Sequence, residues 1–173
     1  MDVIEAMKRR RSVRAYSSKE VSDAAVETLL ECARWAPSAG NLQPWEFIVV
    51  RDSERKRGLA EAALGQSFIE DAPAAIVVCA NSRRSATRYG SRGASLYCLQ
   101  DTAAATQNIH LAAYALGLAT CWVGAFDEAV VARVLKLPEG IRPVVIIPVG
   151  YPEERPSPPP RRGLSEIVHK EEF

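Results

Sequence analysis

Four arginines and a serine fall within six residues, Arg9-Arg10-Arg11-Ser12-Val13-Arg14. Each guanidinium is a planar fork that can hold an oxyanion at two points, and a serine hydroxyl adds one short donor. The natural target of such a cluster on a small domain is a phosphate. The competing reading is a solvated basic patch following a short helix, where basic residues are common. A second concentration of chemistry lies in Ala36-Pro37-Ser38-Ala39-Gly40-Asn41-Leu42-Gln43-Pro44-Trp45. Two prolines and a glycine among small polar residues mark it as a loop. The amides of Asn41 and Gln43, beside Trp45, can read the edge of a planar heterocycle, or can instead satisfy their own backbone.

The elements that position these groups are read in chain order. Asp2 to Arg9 reads as a short helix with Asp2 as its cap, Glu5 as the reciprocal partner, and an apolar stripe of Val3, Ile4 and Met7. The arginines therefore follow a helix end, and a phosphate there is held by side chains. Ser22 caps a second helix on which Val26, Leu29, Leu30 and Ala33 recur at helical spacing until Pro37. Glu46 to Val50 reads as a strand. Asp52 or Ser53 starts a helix to about Leu64, ended by Gly65-Gln66-Ser67. Ala74 to Ala80 is a continuous apolar strand, as expected at the centre of a sheet covered on both faces. Asn81 to Gly93, polar and basic, reads as a mobile surface segment with the character of a lid.

From Ala94 a long helix is expected to Leu116, with Leu96, Leu99, Ala103, Ile109 and Ala113 inward and His110 a hydrogen-bonded core residue. Leu118 to Val123 reads as a third strand, Asp127 caps a helix through Leu135, and Arg142 to Gly150 reads as a fourth strand. Pro143 and Pro148 argue for edge positions or strand ends. Five of the 11 prolines then fall between Pro152 and Pro160, which makes an extended arm that regains apolar character from Leu164 to His169.

Composition narrows the class. At 173 residues the chain is one domain by length, with 47% apolar and 25% charged residues. A net charge of +1 gives no global field for nucleic acid or an anionic membrane. Cys32, Cys79, Cys98 and Cys121 form no C-x-x-C pair, so neither a zinc site nor a disulfide framework is indicated. Free thiols, and acids within Met1 to Met7 where a secretory leader has none, lead to the expectation of a cytoplasmic protein. No G-x-G-x-x-G, P-loop or H-E-x-x-H is present.

The ordered set resembles the nitroreductase family of flavin-dependent NAD(P)H oxidoreductases, in its short, compact form. It comprises Arg-Arg-Ser-x-Arg, then Pro-Ser-x-x-Asn-x-Gln-Pro-Trp, Gln-Asp before an alanine-rich helix, Gly-Leu-x-x-x-Trp-x-Gly, and Val-Gly-Tyr-Pro running on to Arg-Arg. The resemblance spans essentially the whole chain. It implies an α+β, three-layer α/β/α fold with a mixed, mainly antiparallel central sheet. Residues 1–150 form the FMN-binding domain, and residues 151–173 form a C-terminal arm of the same domain, packed on a dimer partner. It implies FMN as cofactor, NADH or NADPH as reductant, a ping-pong exchange at one pocket, small nitroaromatic or quinone acceptors, and no nucleic-acid or membrane partner.

Matched residue by residue, the resemblance puts Arg10, Arg11, Ser12 and Arg14 at the cofactor's phosphate end and ring edge. Pro37, Ser38, Ala39 and Asn41 fall on the loop lent by the partner subunit. Gln66 falls near the polar edge of the ring. Trp122, Val123, Gly124 and Ala125 form the segment passing N5. Arg161 matches a second phosphate arginine, with Arg162 in its place if the register slips by one. A glutamate and paired glycines usual beside N5 are Trp122-Val123-Gly124-Ala125 here, which leaves a backbone N–H near Gly124 and no catalytic side chain. A lysine usual before the tail arginine is Pro159. The readings set against this one are a specialised flavin enzyme, such as a dehalogenase, and a non-catalytic FMN or phosphometabolite binding protein.

Overall fold

The computed structural model describes residues 2–173; Met1, on which part of the leader expectation rests, lies outside them. The order is α1 (Val3–Arg9), α2 (Asp23–Arg34), a 3-10 turn (Ala39–Asn41), β1 (Trp45–Val50), α3 (Ser53–Ala62), α4 (Phe68–Asp71), β2 (Ala74–Asn81), α5 (Ser82–Arg92), a π-helical turn (Gly93–Tyr97), α6 (Cys98–Ala115), β3 (Ala119–Thr120), α7 (Glu128–Leu135), β4 (Ile141–Gly150) and a last 3-10 turn (Leu164–Glu166). The helix starts are set by short polar caps. Asp2 accepts from the Ile4 N–H, Ser22 from Ala25, Asp52 from Arg55, and Asp127 from Ala129 and Val130.

The four strands form one antiparallel sheet in the order β1-β2-β4-β3. Side chains alternate across it, so two cores form. On one face Ile76, Val78, Val145 and Ile147 pack against Leu29 of α2 and Ile109 of α6. On the other, Val77 and Ile146 pack against Leu59 of α3 and Val131 of α7. This is the expected three-layer α/β/α arrangement. The sheet itself is antiparallel throughout rather than mixed; the parallel contact among the described residues is an isolated bridge between Ser12 and Thr120, outside the named strands. Among the described residues no helix is long and apolar enough to cross a membrane.

Several expectations are corrected. Residues 82–92 form helix α5 rather than a loop, because Asn81 caps it through the Arg84 N–H and Ser85 is fully buried against its surroundings. The long helix is broken at its start by the π-helical turn. Its innermost residues are Thr102, Ala105, Thr106, Ile109 and Ala113, while Leu96, Leu99 and Ala103 are only half-buried. The α1 stripe of Val3, Ile4 and Met7 faces outward, each side chain more than half exposed.

The fourth strand is interior rather than an edge, with each proline two residues in from a strand end. Both of its prolines sit where the ladder lacks a partner. Pro143 lies beyond the reach of β3, at a bulge in the β2 pairing between Val78 and Cys79. Pro148 stands opposite Cys121 in the register that joins Thr120 to Val149 and Val123 to Ile146. A proline there has no N–H to offer, so the third strand is cut to Ala119–Thr120 and rejoins only at Val123.

Candidate functional site

Past α1 the chain runs extended along the short third strand. The Val13 N–H donates to the Thr120 carbonyl at 3.1 Å. The next residues pair with the root of the arm. The Ser17 N–H donates to the Tyr151 carbonyl at 3.0 Å, the Glu153 N–H to the Ala15 carbonyl at 2.9 Å, and the Arg14 N–H to the Glu154 carboxylate at 2.5 Å. Gly150 allows this approach: a Cβ there would fall 2.9 Å from the Tyr16 ring and 2.8 Å from Pro73. The arginine segment is thus clamped between β3 and the beginning of the arm.

This clamp gathers cations. Burial pushes the Arg10 pKa below its usual value, and the like charges of Arg11 and Arg161 push it further. Arg161, from the far end of the chain, is near enough for its charge to act on Arg10, while its guanidinium donates to the Pro159 and Pro160 carbonyls at 3.3 and 3.1 Å. Its neighbour Arg162 turns back onto its own turn, donating to the Glu166 carbonyl at 2.7 Å and lying 3.4 Å from the Glu166 carboxylate. Among the described residues no carboxylate pairs with Arg10, Arg11 or Arg161. A cavity of about 470 Å³ opens beside Arg10, lined in part by Arg9, Arg10, Arg11, His110, Arg155 and Glu154, whose carboxylate is taken by the Arg14 N–H. An anion is the ligand that such a cluster accommodates at least cost.

Two residues join the cluster that sequence reasoning had placed elsewhere. His110 is buried, with Nδ1 2.6 Å from the Thr120 hydroxyl and its ring stacked on Trp122 at 5.8 Å. Its Nε2 has no partner. Burial, with Arg10 adding to it, pushes the His110 pKa down to about 4. The Cys121 thiol meets the Ser12 hydroxyl, and burial raises its pKa against the opposing pull of Arg14 and Arg10. No periodicity marks either residue. The only signal was that the run Thr120-Cys121-Trp122 had to lie beside the arginines, and that follows from the Ser12–Thr120 bridge alone.

A second set meets nearby. Leu64 and Gly65, both at positive φ, turn the chain after α3 so that the Gln66 amide donates to the Ala63 carbonyl at 2.9 Å and reaches the Ala125 carbonyl at 3.5 Å. The Arg14 guanidinium lies 5.7 Å from the Phe68 ring centre. Trp122, 41% exposed, offers an open aromatic face, with Val123 buried behind it and Gly124 beside the indole.

The loop holding Pro37, Ser38, Ala39 and Asn41 does not join this assembly within one chain. It is moored to the other half of α6, where the Ala39 N–H donates to buried Asp101 at 3.1 Å. Asp101 precedes His110 by nine residues, about 13 Å along a helix. Within the loop, Ser38 accepts from the Gln43 N–H at 3.0 Å and the Gln43 amide donates to the Asn41 side chain at 3.1 Å. These two amides satisfy each other here, the plainer of the two readings of the loop.

Known proteins resemble this chain in sequence and fold. The family model described as Nitroreductase family matches residues 7–67 and 60–151. A protein of Archaeoglobus fulgidus, provisionally named an NADH dehydrogenase/NAD(P)H nitroreductase, is 42% identical over 149 residues, covering 84% of this chain and 82% of that one. The FMN reductase [NAD(P)H] of Bacillus subtilis is 28% identical over 185 residues, covering 99% and 74%. Among solved structures, the NADPH:FMN oxidoreductase of Vibrio harveyi complexed with NAD+ superposes with a TM-score of 0.91 at 28% identity, covering 99% of this chain and 77% of that one.

Proposed function

The chain belongs to the nitroreductase family, and on that premise we propose that it is an FMN-dependent NAD(P)H oxidoreductase. It works as a cytoplasmic homodimer and reduces small nitroaromatic, quinone or similar acceptors. The observation that carries this reading is the cavity lined by Arg9, Arg10 and Arg11, with the charge of Arg161 from the far end of the chain acting on Arg10 and, among the described residues, no carboxylate paired with Arg10, Arg11 or Arg161. Their fork-shaped donors fit a terminal phosphate. His110 lines the same cavity, and its buried Nε2 is without a partner among the described residues.

In this reading Arg10, Arg11, Ser12 and Arg161 hold the FMN phosphate. Gln66 and Arg14 meet the polar edge of the ring. Arg14 supplies positive charge where negative charge accumulates on reduction. The segment Trp122–Ala125 would border the ring; the Val123 N–H is held by the Ile146 carbonyl at 3.0 Å, so the backbone N–H near Gly124 would serve where a side-chain partner is missing. Bound FMN supplies a two-electron acceptor and donor, so one open pocket serves the nicotinamide nucleotide and the oxidised substrate in turn. The protein holds, orients and excludes water; it needs no nucleophile of its own.

The dimer supplies what one chain does not gather. The loop Pro37–Asn41 lies too far from the arginines of its own chain and is placed against the FMN of a second copy. Exposed apolar side chains support this. They include Val3, Ile4, Met7 and Trp35 on one flank, and Leu164, Ile167, Val168 and Phe173 on the arm. We expect light scattering to give twice the chain mass; a monomer that still holds FMN tightly overturns the shared site. Free thiols at all four cysteines fit a reducing compartment.

The catalytic reading is tested directly. Purified protein loaded with FMN is yellow, and anaerobic NADH or NADPH bleaches it; a nitroaromatic or quinone then restores the colour. Yellow protein that neither nucleotide bleaches supports a binding module instead. Protein that takes up no FMN refutes both.

A further inference from the structure

The stretch from Ser82 to Gln100 carries four arginines and not one aspartate or glutamate. Arg83 pairs with Glu139 at 2.7 Å, but among the described residues no carboxylate pairs with Arg84, Arg88 or Arg92. All three are exposed. They stand on an aromatic base. Tyr89 and Tyr97 meet edge to face at 5.2 Å, the Arg88 guanidinium lies 5.5 Å from the Tyr89 ring, and that of Arg92 lies 5.4 Å from the Tyr97 ring. The Arg92 Nε also donates to the Tyr97 hydroxyl at 3.0 Å, which holds that fork in place beyond the kink at Gly90.

This basic surface is fastened to the loop of Ala39–Asn41. Arg84 Nε donates to the Leu42 carbonyl. Gly40, at φ +56°, is pressed so closely that a Cβ would fall 2.7 Å from the Tyr89 hydroxyl and 2.9 Å from the Arg88 guanidinium. Wherever the loop goes, Arg88 and Arg92 go with it. Preordered arginines on aromatic rings, free of carboxylates, form an anion-binding surface rather than a solvated face, because the ordering entropy of each long side chain is already met.

We propose that Arg88 and Arg92 form the docking site for the phosphate groups of the nicotinamide dinucleotide. The inference rests on the reading that this loop borders the FMN of a second copy. The reductant must then bring its nicotinamide over the ring while its phosphates lie outside the pocket. The cations at Arg10, Arg11 and Arg161 are already committed to the cofactor. Arg88 and Arg92, on the helix fastened to the bordering loop, pair with no carboxylate among the described residues, and they act on binding of the reductant, not on the redox step.

The test compares reductants with and without phosphate. Steady-state kinetics of the FMN-loaded wild type, R88A/R92A and R88K/R92K are measured with NADPH, NADH and 1-benzyl-1,4-dihydronicotinamide, which carries no phosphate. In R88A/R92A the ratio of kcat/KM for NADPH to that for the phosphate-free reductant is expected to fall about tenfold or more, through KM. The lysine variant recovers part of it, and the salt dependence of the wild-type KM flattens in the alanine variant. An unchanged ratio overturns the proposal. So does an equal loss with all three reductants, because the arginines would then only brace the loop. A wild type that no dihydronicotinamide reduces refutes the enzymatic reading itself, which is a separate outcome.

Discussion

Replacing Arg10 with alanine is expected to weaken FMN binding by about 2–3 kcal/mol, some 30- to 150-fold, if Arg10 makes the proposed charge-assisted contact to phosphate. A second readout separates this from simple damage. Arg10 is held beside Arg11 and Arg161, with burial and both like charges opposing its own charge. Removing it relieves that repulsion, so the FMN-free variant melts no lower than FMN-free wild type, while the rise in Tm on adding FMN shrinks. Riboflavin provides the control. It lacks the phosphate, so the ratio of FMN to riboflavin affinity collapses in Arg10→Ala, and also in Arg161→Ala. Arg162→Ala, whose side chain is engaged by Glu166, leaves the ratio near the wild-type value. Calorimetric titration of the three variants checks this; an Arg10→Ala protein with an unaltered FMN to riboflavin ratio removes the phosphate from this cluster.

The parts of this architecture that were legible in the chain are those fixed by local chemistry. Ser22, Asp52 and Asp127 stand at helix starts because a short side-chain oxygen satisfies an N–H that the helix cannot. The apolar run from Ala74 to Ala80 is a central strand because both of its faces are covered. The failures share a different cause. Pro143 and Pro148 read locally as edge signals, yet the rule concerns an absent partner rather than a position in the sheet. A bulge and a two-residue neighbouring strand provide that absence within the interior. Residues 82–92 look loop-like by composition, but a capping asparagine and a buried serine make them helical.

The same distinction governs the candidate site. The arginines were visible because four forks in six residues are a local fact. The nearness of Arg161 to Arg10, across about 150 residues, follows only from tertiary pairing of Ala15–Ser17 with Tyr151–Glu153. The loop of Asn41 was visible as a loop; that it is bound to Asp101 and to the arginine-bearing helix was not. His110 illustrates the limit best. Reading it as a hydrogen-bonded core residue agrees with its bond to Thr120. That reading did not foresee that the other ring nitrogen would be buried without a partner, in a residue that lines the arginine cavity.

That histidine has a consequence for stability. Its pKa is pushed from the ordinary 6.5 to about 4 by burial first and by Arg10 second. The folded chain therefore binds fewer protons at this position than the unfolded chain between about pH 6.5 and pH 4. Stability is complete above pH 6.5, falls as the pH drops through that window, and loses nothing further from this group below pH 4. At 1.36 kcal/mol per pH unit, the loss is about 3 kcal/mol. Other groups titrate nearby, notably Glu31 and Glu128, held low by Arg34 and Arg142, and Asp101, raised by burial. They are common to the wild type and His110→Asn, so the difference in unfolding free energy between the two isolates the imidazole. Denaturant melts of FMN-free protein at fixed ionic strength should show that difference shifting by about 3 kcal/mol in favour of the variant from pH 7 to pH 4. A difference that stays flat across the range would mean that the ring is protonated as readily in the folded chain as in water. In the FMN-loaded protein the phosphate offsets the charge of Arg10, so the window moves toward higher pH and the loss narrows. The same melts, repeated with FMN present, therefore report whether the anion and the buried imidazole share one site.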